Sequence, residues 1–170
     1  MTRKAAILGL GQSGGAWARR FHAMGWQVTG FDPELLAEGI PQFVHDWRQE
    51  NTISATVRGA DWVLVCLPDR LELMRKVIQR AQVEAPEDAI IAVATQTFDI
   101  EEIQGCAHWP GCVICVNAGE DGGFFVDVNS NTSEIVRTEA TSVLAELAAS
   151  DGIAGTTIAT ENQPPDAESA

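Results

Sequence analysis

The stretch ILGLGQSGGAWARRF, residues 7–21, places three glycines in the spacing G-x-G-x-x-G between an apolar run and a segment of helical period. At the junction of a strand and a helix, this spacing is typical of the phosphate-binding turn of a βαβ unit. Gly9 allows the tight turn, Gly11 lets a pyrophosphate approach the backbone, and Gly14 lets the helix pack against the strand. The stretch predicts a parallel α/β sheet with a dinucleotide site at its first crossover, although a purely structural glycine turn fits the same spacing.

An acidic residue at the end of the next predicted strand indicates which dinucleotide would bind. Asp32 follows Gly9 by about 20 residues, the separation at which a carboxylate accepts hydrogen bonds from the adenosine ribose hydroxyls. The same carboxylate would repel the 2′-phosphate of NADP. Gln12 and Ser13 complete the turn, where N–H groups at the start of the helix attract phosphates. These residues predict NAD or NADH as the ligand rather than NADP.

The rest of the chain alternates apolar runs with segments of helical period, a pattern typical of βαβ units. Strands are predicted at residues 4–9, 27–32, 62–67, 89–94, 112–117, 124–129 and 155–160. Beyond the helix after the glycine turn, helices are predicted at 34–38, 49–59, 70–84, 99–105 and from about 133 to 149. The predicted fold is a Rossmann-type, doubly wound, mainly parallel sheet with helices on both faces. It forms a dinucleotide-binding domain over residues 1–160, and the acidic, proline-containing residues 161–170 are predicted to be a disordered tail or a truncated linker.

The charge of the chain disfavours two classes of partner. The chain has 11 Lys and Arg residues against 24 Asp and Glu residues, a formal net charge of −13. Such a chain repels a nucleic-acid backbone and an anionic membrane, and Arg19 with Arg20 is too small a basic patch to reverse this. No apolar run reaches the roughly 20 residues that span a bilayer, and no secretory signal precedes the first strand. We therefore expect a cytoplasmic protein that binds neither nucleic acid nor membranes.

The four cysteines are expected to stay reduced in that compartment. Cys106, His108, Cys112 and Cys115 lie close together in the sequence, as the ligands of a zinc site often do. However, the segment CVICV alternates like a strand, so the side chains of Cys112 and Cys115 would point to opposite faces. We therefore predict small buried core residues here and no metal site.

Two longer stretches resemble a known family. GLGQSGGAWARRFHAMGWQVTGFDPE and GADWVLVCLPDRLELMRKVIQRAQVEAPEDAIIAVATQTFDIEEI are similar to the NAD-binding domain of the 3-hydroxyacyl-CoA dehydrogenases, particularly the L-carnitine dehydrogenase branch. The similarity covers about residues 4–160. It implies NAD as the cofactor, with Pro68, Asp69 and Thr95 near it, and a separate C-terminal helical domain that completes the substrate pocket and forms a dimer.

The resemblance also implies a reaction, the oxidation of a secondary alcohol to a ketone by a histidine base that a glutamate orients. Asn117 of VICVNAGEDGG stands where that histidine is expected, and an amide cannot accept a proton from an alcohol at neutral pH. Asp127 of FFVDVN occupies the position of the family's glutamate, and Gln96 occupies that of a serine that contacts the substrate. The lysine that the family has in the helix after Asp69 is replaced by Met74. We therefore expect NAD binding without autonomous dehydrogenase activity and assign no catalytic residue.

Other residues could in principle replace the missing base. The histidines are His22, His45 and His108, and we expect His22 on a helix surface and His108 at the end of the sheet opposite the cofactor. Glu120 and Asp121 follow Asn117 and the predicted strand over residues 112–117, at the correct end of the sheet. Either could act as a base only if burial raised its pKa, and a solvated loop is the simpler interpretation.

The length of the chain leaves several functions open. The segment between Asp32 and Asp61 is shorter than the corresponding region of the family, which argues against a CoA thioester as substrate. The chain also ends where the linker to the helical domain is expected. It could be a non-catalytic NAD-binding protein, an oxidoreductase subunit for a 3-hydroxy acid derivative that a partner chain completes, or a domain with no separate role. Apolar surface at Phe124, Phe125 or Trp109 is expected to bind a second copy or a partner.

Overall fold

The computed structural model describes residues 2–37, 47–119 and 123–150. Within these ranges the strands are β1 (Lys4–Leu8), β2 (Gln27–Phe31), β3 (Arg48–Gln49), β4 (Trp62–Val65), β5 (Ile90–Ala94), β6 (Val113–Ala118) and β7 (Phe124–Asp127). The helices are α1 (Gln12–Ala23), α2 (Pro33–Ala37), α3 (Ile53–Val57), α4 (Leu71–Glu84), α5 (Ile100–Gln104) and α6 (Glu134–Ser150). A short 3-10 helix, Pro110–Cys112, precedes β6.

The strands form one sheet in the order β3-β2-β1-β4-β5-β6-β7. Neighbouring strands are parallel except β6 and β7, which are antiparallel. Strand order reverses at β1, since the chain continues to β2 on one side and later to β4 on the other. The loops at the carboxyl ends of β1 and β4 therefore diverge and leave a crevice between them. This confirms the predicted Rossmann-type, doubly wound and mainly parallel sheet.

Helices cover both faces of the sheet, and the strands are consequently apolar on both faces. In β1, Ala5 and Ile7 pack beneath α1 and α6, whereas Ala6 and Leu8 pack against α3, α4 and α5. Both sets are buried. A strand with both faces covered is a continuous apolar run in the sequence, as β1, β4 and β5 are.

The predicted helix over residues 49–59 is wrong in its first half. The chain first forms β3 beside β2, where the Glu50 N–H donates to the Gly30 carbonyl oxygen at 2.7 Å. α3 begins only after Thr52, whose hydroxyl accepts a backbone N–H and caps the helix. A strand of two residues is too short to leave a periodic signal in the sequence. The predicted strand over 155–160 and the predicted tail over 161–170 lie outside the described residues.

One of the three residues predicted to form an apolar surface is in the core. Phe124 is fully buried, with its ring centroid 5.4 Å from that of Trp17, whereas Phe125 and Trp109 are 37% and 38% exposed. Successive residues of a strand point to opposite faces, so Phe124 and Phe125 could not share one environment.

Among the helices of residues 2–37, 47–119 and 123–150, none has the length and apolar composition of a membrane span.

Candidate functional site

The glycine turn between β1 and α1 contains two glycines that the fold itself requires. Gly9 has φ +93°, and a Cβ there would lie 2.3 Å from the carbonyl oxygen of Cys66, at the end of β4. A Cβ on Gly14 would lie 1.7 Å from the carbonyl oxygen of Gly9. Both contacts are far shorter than any real carbon–oxygen contact. These two glycines therefore let α1 start directly against the ends of β1 and β4.

Gly11 differs from both of these glycines. Its backbone is extended, with φ −67° and ψ −162°, a conformation that any residue adopts. A Cβ on Gly11 would meet no atom within 4 Å. Nothing in the described fold thus requires a glycine at this position, which is exposed at the start of α1. A ligand that approaches the backbone closely would require one.

Asp32 lies beside this turn, as the sequence predicts. Its Oδ2 accepts the Leu10 N–H at 2.8 Å, and its Oδ1 accepts the N–H groups of Glu34 at 2.9 Å and Leu35 at 3.4 Å. The carboxylate therefore links the glycine turn to the end of β2 and accepts hydrogen bonds from the first N–H groups of α2. A carboxylate has about four lone-pair positions, so Asp32 can accept further hydrogen bonds from a ligand.

A second polar group joins the ends of β4 and β5. The Asp69 carboxylate accepts the Thr97 hydroxyl at 2.6 Å and the Thr95 hydroxyl at 3.3 Å. Thr95 is buried, and its oxygen also accepts the Thr97 N–H at 3.2 Å. The carbonyl oxygen of Pro68, one residue before Asp69, accepts the Arg70 N–H at 2.7 Å. Asp69 and Thr95, which the family resemblance places near the cofactor, are thus held together.

An open cleft of about 850 Å³ lies at the carboxyl ends of the strands, between α1 and the loops after β4, β5 and β6. The cleft brings Gln12 and Ser13 of the glycine turn close to Gln96 and Asn117, which stand at the family's catalytic positions. The described residues that line it are Gln12, Ser13, Ala16, Trp17, Arg20, Asp69, Ala94, Thr95, Gln96, Asn117 and Ala118. The other predicted site residues are outside this lining: Gly9, Gly11, Gly14, Asp32, Pro68 and Asp127.

The register of β6 and β7 separates the two residues at the family's acid–base positions. Asn117 lies directly opposite Phe125, and Asp127 lies opposite Cys115. Asn117 and Asp127 share a face of the sheet but are diagonal neighbours, which in an antiparallel pair lie about 7–8 Å apart. Burial, followed by the nearby charges of Glu101 and Asp99, raises the pKa of the Asp127 carboxyl. Asp127 therefore belongs to an acidic group around the start of α5.

The histidines that the structure describes lie outside the cleft. His22 is exposed on α1. His108 lies beyond α5, at the amino end of β6, where its backbone N–H donates to Gln82 at 2.9 Å. His45, and the carboxylates Glu120 and Asp121 that we considered as substitute bases, lie outside the described residues. Met74 is fully buried in the core.

The cysteines do not converge on one point. Cys112 packs on the α1 and α6 side of the sheet, whereas Cys115 packs on the other side, as the alternation of the strand predicts. Burial raises the pKa of Cys115 to about 12. Burial likewise raises the pKa of Cys66 to about 12, although a hydrogen bond from Ser13 lowers it in part. The Cys66 and Cys115 thiols are therefore protonated at neutral pH.

Sequence reasoning did not assign Trp17 or Arg20 to the site. Both are on α1 at a spacing of three residues, which brings them to the same side of the helix. Their position in the wall of the cleft depends on Phe124, which packs against both of them from β7. The spacing of Trp17 and Arg20 could have indicated that they share a side of α1, but the contact between α1 and Phe124 of β7 was not visible in the sequence.

Comparison with known proteins identifies the family. A family model described as "3-hydroxyacyl-CoA dehydrogenase, NAD binding domain" matches residues 37–149, about two thirds of the chain. The chain therefore belongs to the 3-hydroxyacyl-CoA dehydrogenase NAD-binding domain family. The matched range begins after Asp32, so the interpretation of the glycine turn rests on its geometry.

Curated relatives and solved structures agree with this assignment. The chain is 33% identical over 129 residues to an L-carnitine dehydrogenase/betainyl-CoA thioesterase of Ruegeria pomeroyi, a match covering 65% of this chain and 26% of that protein. It is 28% identical over 131 residues to an L-carnitine dehydrogenase of Streptomyces griseus, covering 66% of this chain and 39% of that protein. The fold resembles that of 3-hydroxybutyryl-CoA dehydrogenase from Escherichia coli, with a TM-score of 0.77 at 16% identity over 94% of this chain and 38% of that one. The chain thus spans well under two thirds of the length of these relatives.

Proposed function

We propose that this chain binds NAD or NADH at the glycine turn and in the adjoining cleft, and that it performs no dehydrogenation by itself. The open space beside Gly11 supports NAD binding, because the fold does not require a glycine there. A ligand that contacts the backbone at this position would require one. Gln12 and Ser13 follow at the start of α1, where the helix dipole attracts phosphates. Asp32 accepts the ribose hydroxyls and disfavours the 2′-phosphate of NADP.

Asn117 carries the second half of the proposal. It lines the cleft at the end of β6, where the family resemblance places the base, and its amide has no basic atom for the proton of an alcohol. The described carboxylate on the same face, Asp127, is diagonal to Asn117 rather than opposite it. Asp127 could help to orient a histidine, but the residue at position 117 is an asparagine. Hydride transfer to bound NAD would therefore lack the histidine base that the family resemblance places at this position.

Calorimetric titration with NAD, NADH and NADP tests the first half. We expect NAD and NADH to bind, NADP to bind far more weakly, and Gly11→Thr to abolish binding while the chain stays folded. Threonine is a good residue at a helix N-cap, so this variant blocks the backbone without weakening α1. Failure of NAD and NADH to bind the folded wild-type chain would overturn the proposal.

An assay of NADH formation from L-carnitine and from 3-hydroxybutyryl-CoA tests whether the chain dehydrogenates a substrate by itself. Turnover by the chain alone would contradict the second half of the proposal.

A second candidate is an oxidoreductase subunit that oxidises a 3-hydroxy acid derivative once a partner chain or a second copy completes its site. The exposed ring of Phe125 favours it, since this residue lies directly opposite Asn117 at the end of the sheet that holds the cleft. An apolar side chain at such a position is commonly covered by another surface. Sedimentation over a wide concentration range tests self-association, which Phe125→Ser should weaken. A monomer at all concentrations would remove the homo-oligomer from consideration.

A further inference from the structure

A second cavity lies at the end of the sheet opposite the cleft. It has a volume of about 480 Å³ and lies where the amino ends of β1, β4 and β5 meet the first turns of α6. Ligand pockets typically have volumes of about 300–1,000 Å³. Trp62, Ile90 and Val136 line it and are buried. The cavity is therefore separate from the glycine turn and from the residues at the family's catalytic positions.

The charged residues around this second cavity are mostly acidic. One cation and four carboxylates are in its described lining: Arg3, Asp61, Asp88, Glu134 and Glu139. Arg3 forms an ion pair with Glu139, and its guanidinium carbon is 4.3 Å from the ring centroid of Trp26. The cavity wall thus already holds one guanidinium of the chain itself, between a carboxylate and an aromatic ring.

Two of the remaining carboxylates are available to a ligand. Asp88, before β5, and Glu134, at the start of α6, are both exposed. In the part of the chain that the structure describes, neither carboxylate forms a hydrogen bond or an ion pair. The Asp61 carboxylate accepts the backbone N–H of Lys4 at 2.8 Å and keeps its charge. A cation that enters the cavity is therefore attracted from three sides.

The wall of the cavity also contains an unused hydrogen-bond donor. Trp62 is fully buried at the start of β4, and its Nε1 has no hydrogen-bond partner within the described residues. Buried donors are nearly always paired in folded proteins. An acceptor oxygen of a bound molecule would pair this one. The ligand therefore needs a carbonyl or similar acceptor in addition to a positive charge.

An apolar side chain stands at the rim of the same cavity. Ile135, on the first turn of α6, lines the cavity and is 83% exposed. Its neighbour Val136 is buried, so the rim continues the apolar wall outward. A ligand that also has an apolar group would cover Ile135 and remove this surface from water.

We propose that this cavity binds a basic segment of a partner protein, with an arginine side chain among the carboxylates and an apolar side chain against Ile135. A peptide supplies the cation, the apolar group and a backbone carbonyl oxygen for the indole N–H of Trp62. A metal ion supplies neither of the last two. A second copy of this chain, with its net charge of −13, would be repelled by the acidic rim. The partner is therefore a different, basic chain.

The test uses the full chain and two small peptides, acetyl-leucyl-arginine amide and acetyl-leucyl-citrulline amide. Citrulline has nearly the same shape as arginine and no charge. Binding is followed by NMR through the indole N–H signal of Trp62, which Trp62→Phe assigns. We expect the arginine peptide to shift this signal downfield and the citrulline peptide to bind about 10-fold more weakly, because charge-assisted hydrogen bonds are lost.

Paired variants test whether the carboxylates of the cavity are responsible. Asp88→Asn combined with Glu134→Gln should weaken binding of the arginine peptide by about 10-fold. Glu72→Gln combined with Glu146→Gln removes the same charge from exposed positions outside the lining and should change binding by less than twofold. Equal losses in the two double variants would show a non-specific effect of net charge and would overturn the proposal.

The remaining outcomes decide what occupies the cavity. Ile135→Ser should weaken the leucyl peptide and leave acetyl-glycyl-arginine amide unchanged, as expected for a contact between two apolar side chains. No shift of the Trp62 signal, or equal affinities for the arginine and citrulline peptides, would overturn the proposal. If propylguanidine binds as tightly as the arginine peptide, the ligand is a small organic cation and the peptide proposal is wrong. It is also wrong if sedimentation shows self-association that Asp88→Asn with Glu134→Gln abolishes, since a second copy then covers this surface.

Discussion

A Cβ atom on Gly14 would lie 1.7 Å from the carbonyl oxygen of Gly9. The first turn of α1 therefore packs directly against the backbone at the end of β1, and the two glycines form a single contact. Relief of such an overlap requires the backbone to move, because neither partner is a flexible side chain.

Gly14→Ala is accordingly expected to destabilise the chain by roughly 3 kcal/mol or more, the upper range for overpacking a core. Gly11→Thr is its matched control, since a Cβ at Gly11 has open space and threonine caps helices well. Thermal unfolding should show a large fall in Tm for the first variant and a change within about 2 °C for the second. Similar falls for both variants would mean that the space beside Gly11 is needed for folding.

Asp32→Asn should weaken NADH binding by about 10-fold through the loss of charge-assisted hydrogen bonds to the ribose. It should also narrow the preference for NAD over NADP, because the repulsion of the 2′-phosphate is removed. The matched control is Asp61→Asn, since the Asp61 carboxylate also accepts a backbone N–H, that of Lys4 at 2.8 Å, but at the amino end of β4. Calorimetry on both variants checks this, and equal losses would indicate a non-specific effect of charge.

Asn117→His alone is expected to produce no dehydrogenase activity, because the carboxylate of Asp127 is diagonal to it. Phe125 lies directly opposite Asn117, where Cβ atoms are about 4.5–5.5 Å apart. The double variant Asn117→His, Phe125→Glu therefore places an acid where it can orient the new imidazole. Its histidine pKa, followed by NMR, should be higher than in the single variant, since a neighbouring carboxylate favours the charged form. Equal pKa values in the two variants would contradict the register argument, whether or not activity appears.

Asp127→Asn should raise stability at neutral pH and leave it unchanged in acid. Burial and the charges of Glu101 and Asp99 raise the pKa of Asp127 in the folded chain. Folding therefore favours the protonated acid, and this contribution is complete below the unfolded pKa and is lost as pH rises through the folded pKa. Because the carboxyl is only partly buried and solvent screens its charge, we expect a rise in Tm on the order of 1 °C at pH 7. The control is Glu72→Gln, an exposed carboxylate of α4, and a rise of the same size there would point to net charge instead.

The sequence predicts the parallel part of this fold well because β1, β4 and β5 are buried on both faces. Their continuous apolar runs identify them as strands without reference to any partner. Strand β3 lacks such a run, since its two residues take their conformation from pairing with β2 at the edge of the sheet. The predicted helix there was wrong because tertiary pairing decided the structure of Gln49, not local propensity.

The candidate site divides in the same way. The places of Gly9, Gly14 and Asp32 could be predicted because they depend on one local turn and the neighbouring strand. The place of Arg20 in the cleft depends on Phe124, more than 100 residues away in the sequence. Likewise, the diagonal placement of Asp127 depends on the β6–β7 register, which no local pattern determines.

The burial of Trp17 at the cleft gives the chain a built-in optical reporter. The sequence has five tryptophans and no tyrosine, so its near-ultraviolet absorbance and emission come almost entirely from indole. Four of these indoles are buried, and Trp109 is partly exposed. The emission band of tryptophan overlaps the absorption band of a reduced nicotinamide, and Trp17 lines the cleft where NADH would bind. Quenching of that emission by energy transfer would therefore follow cofactor occupancy in solution without any label.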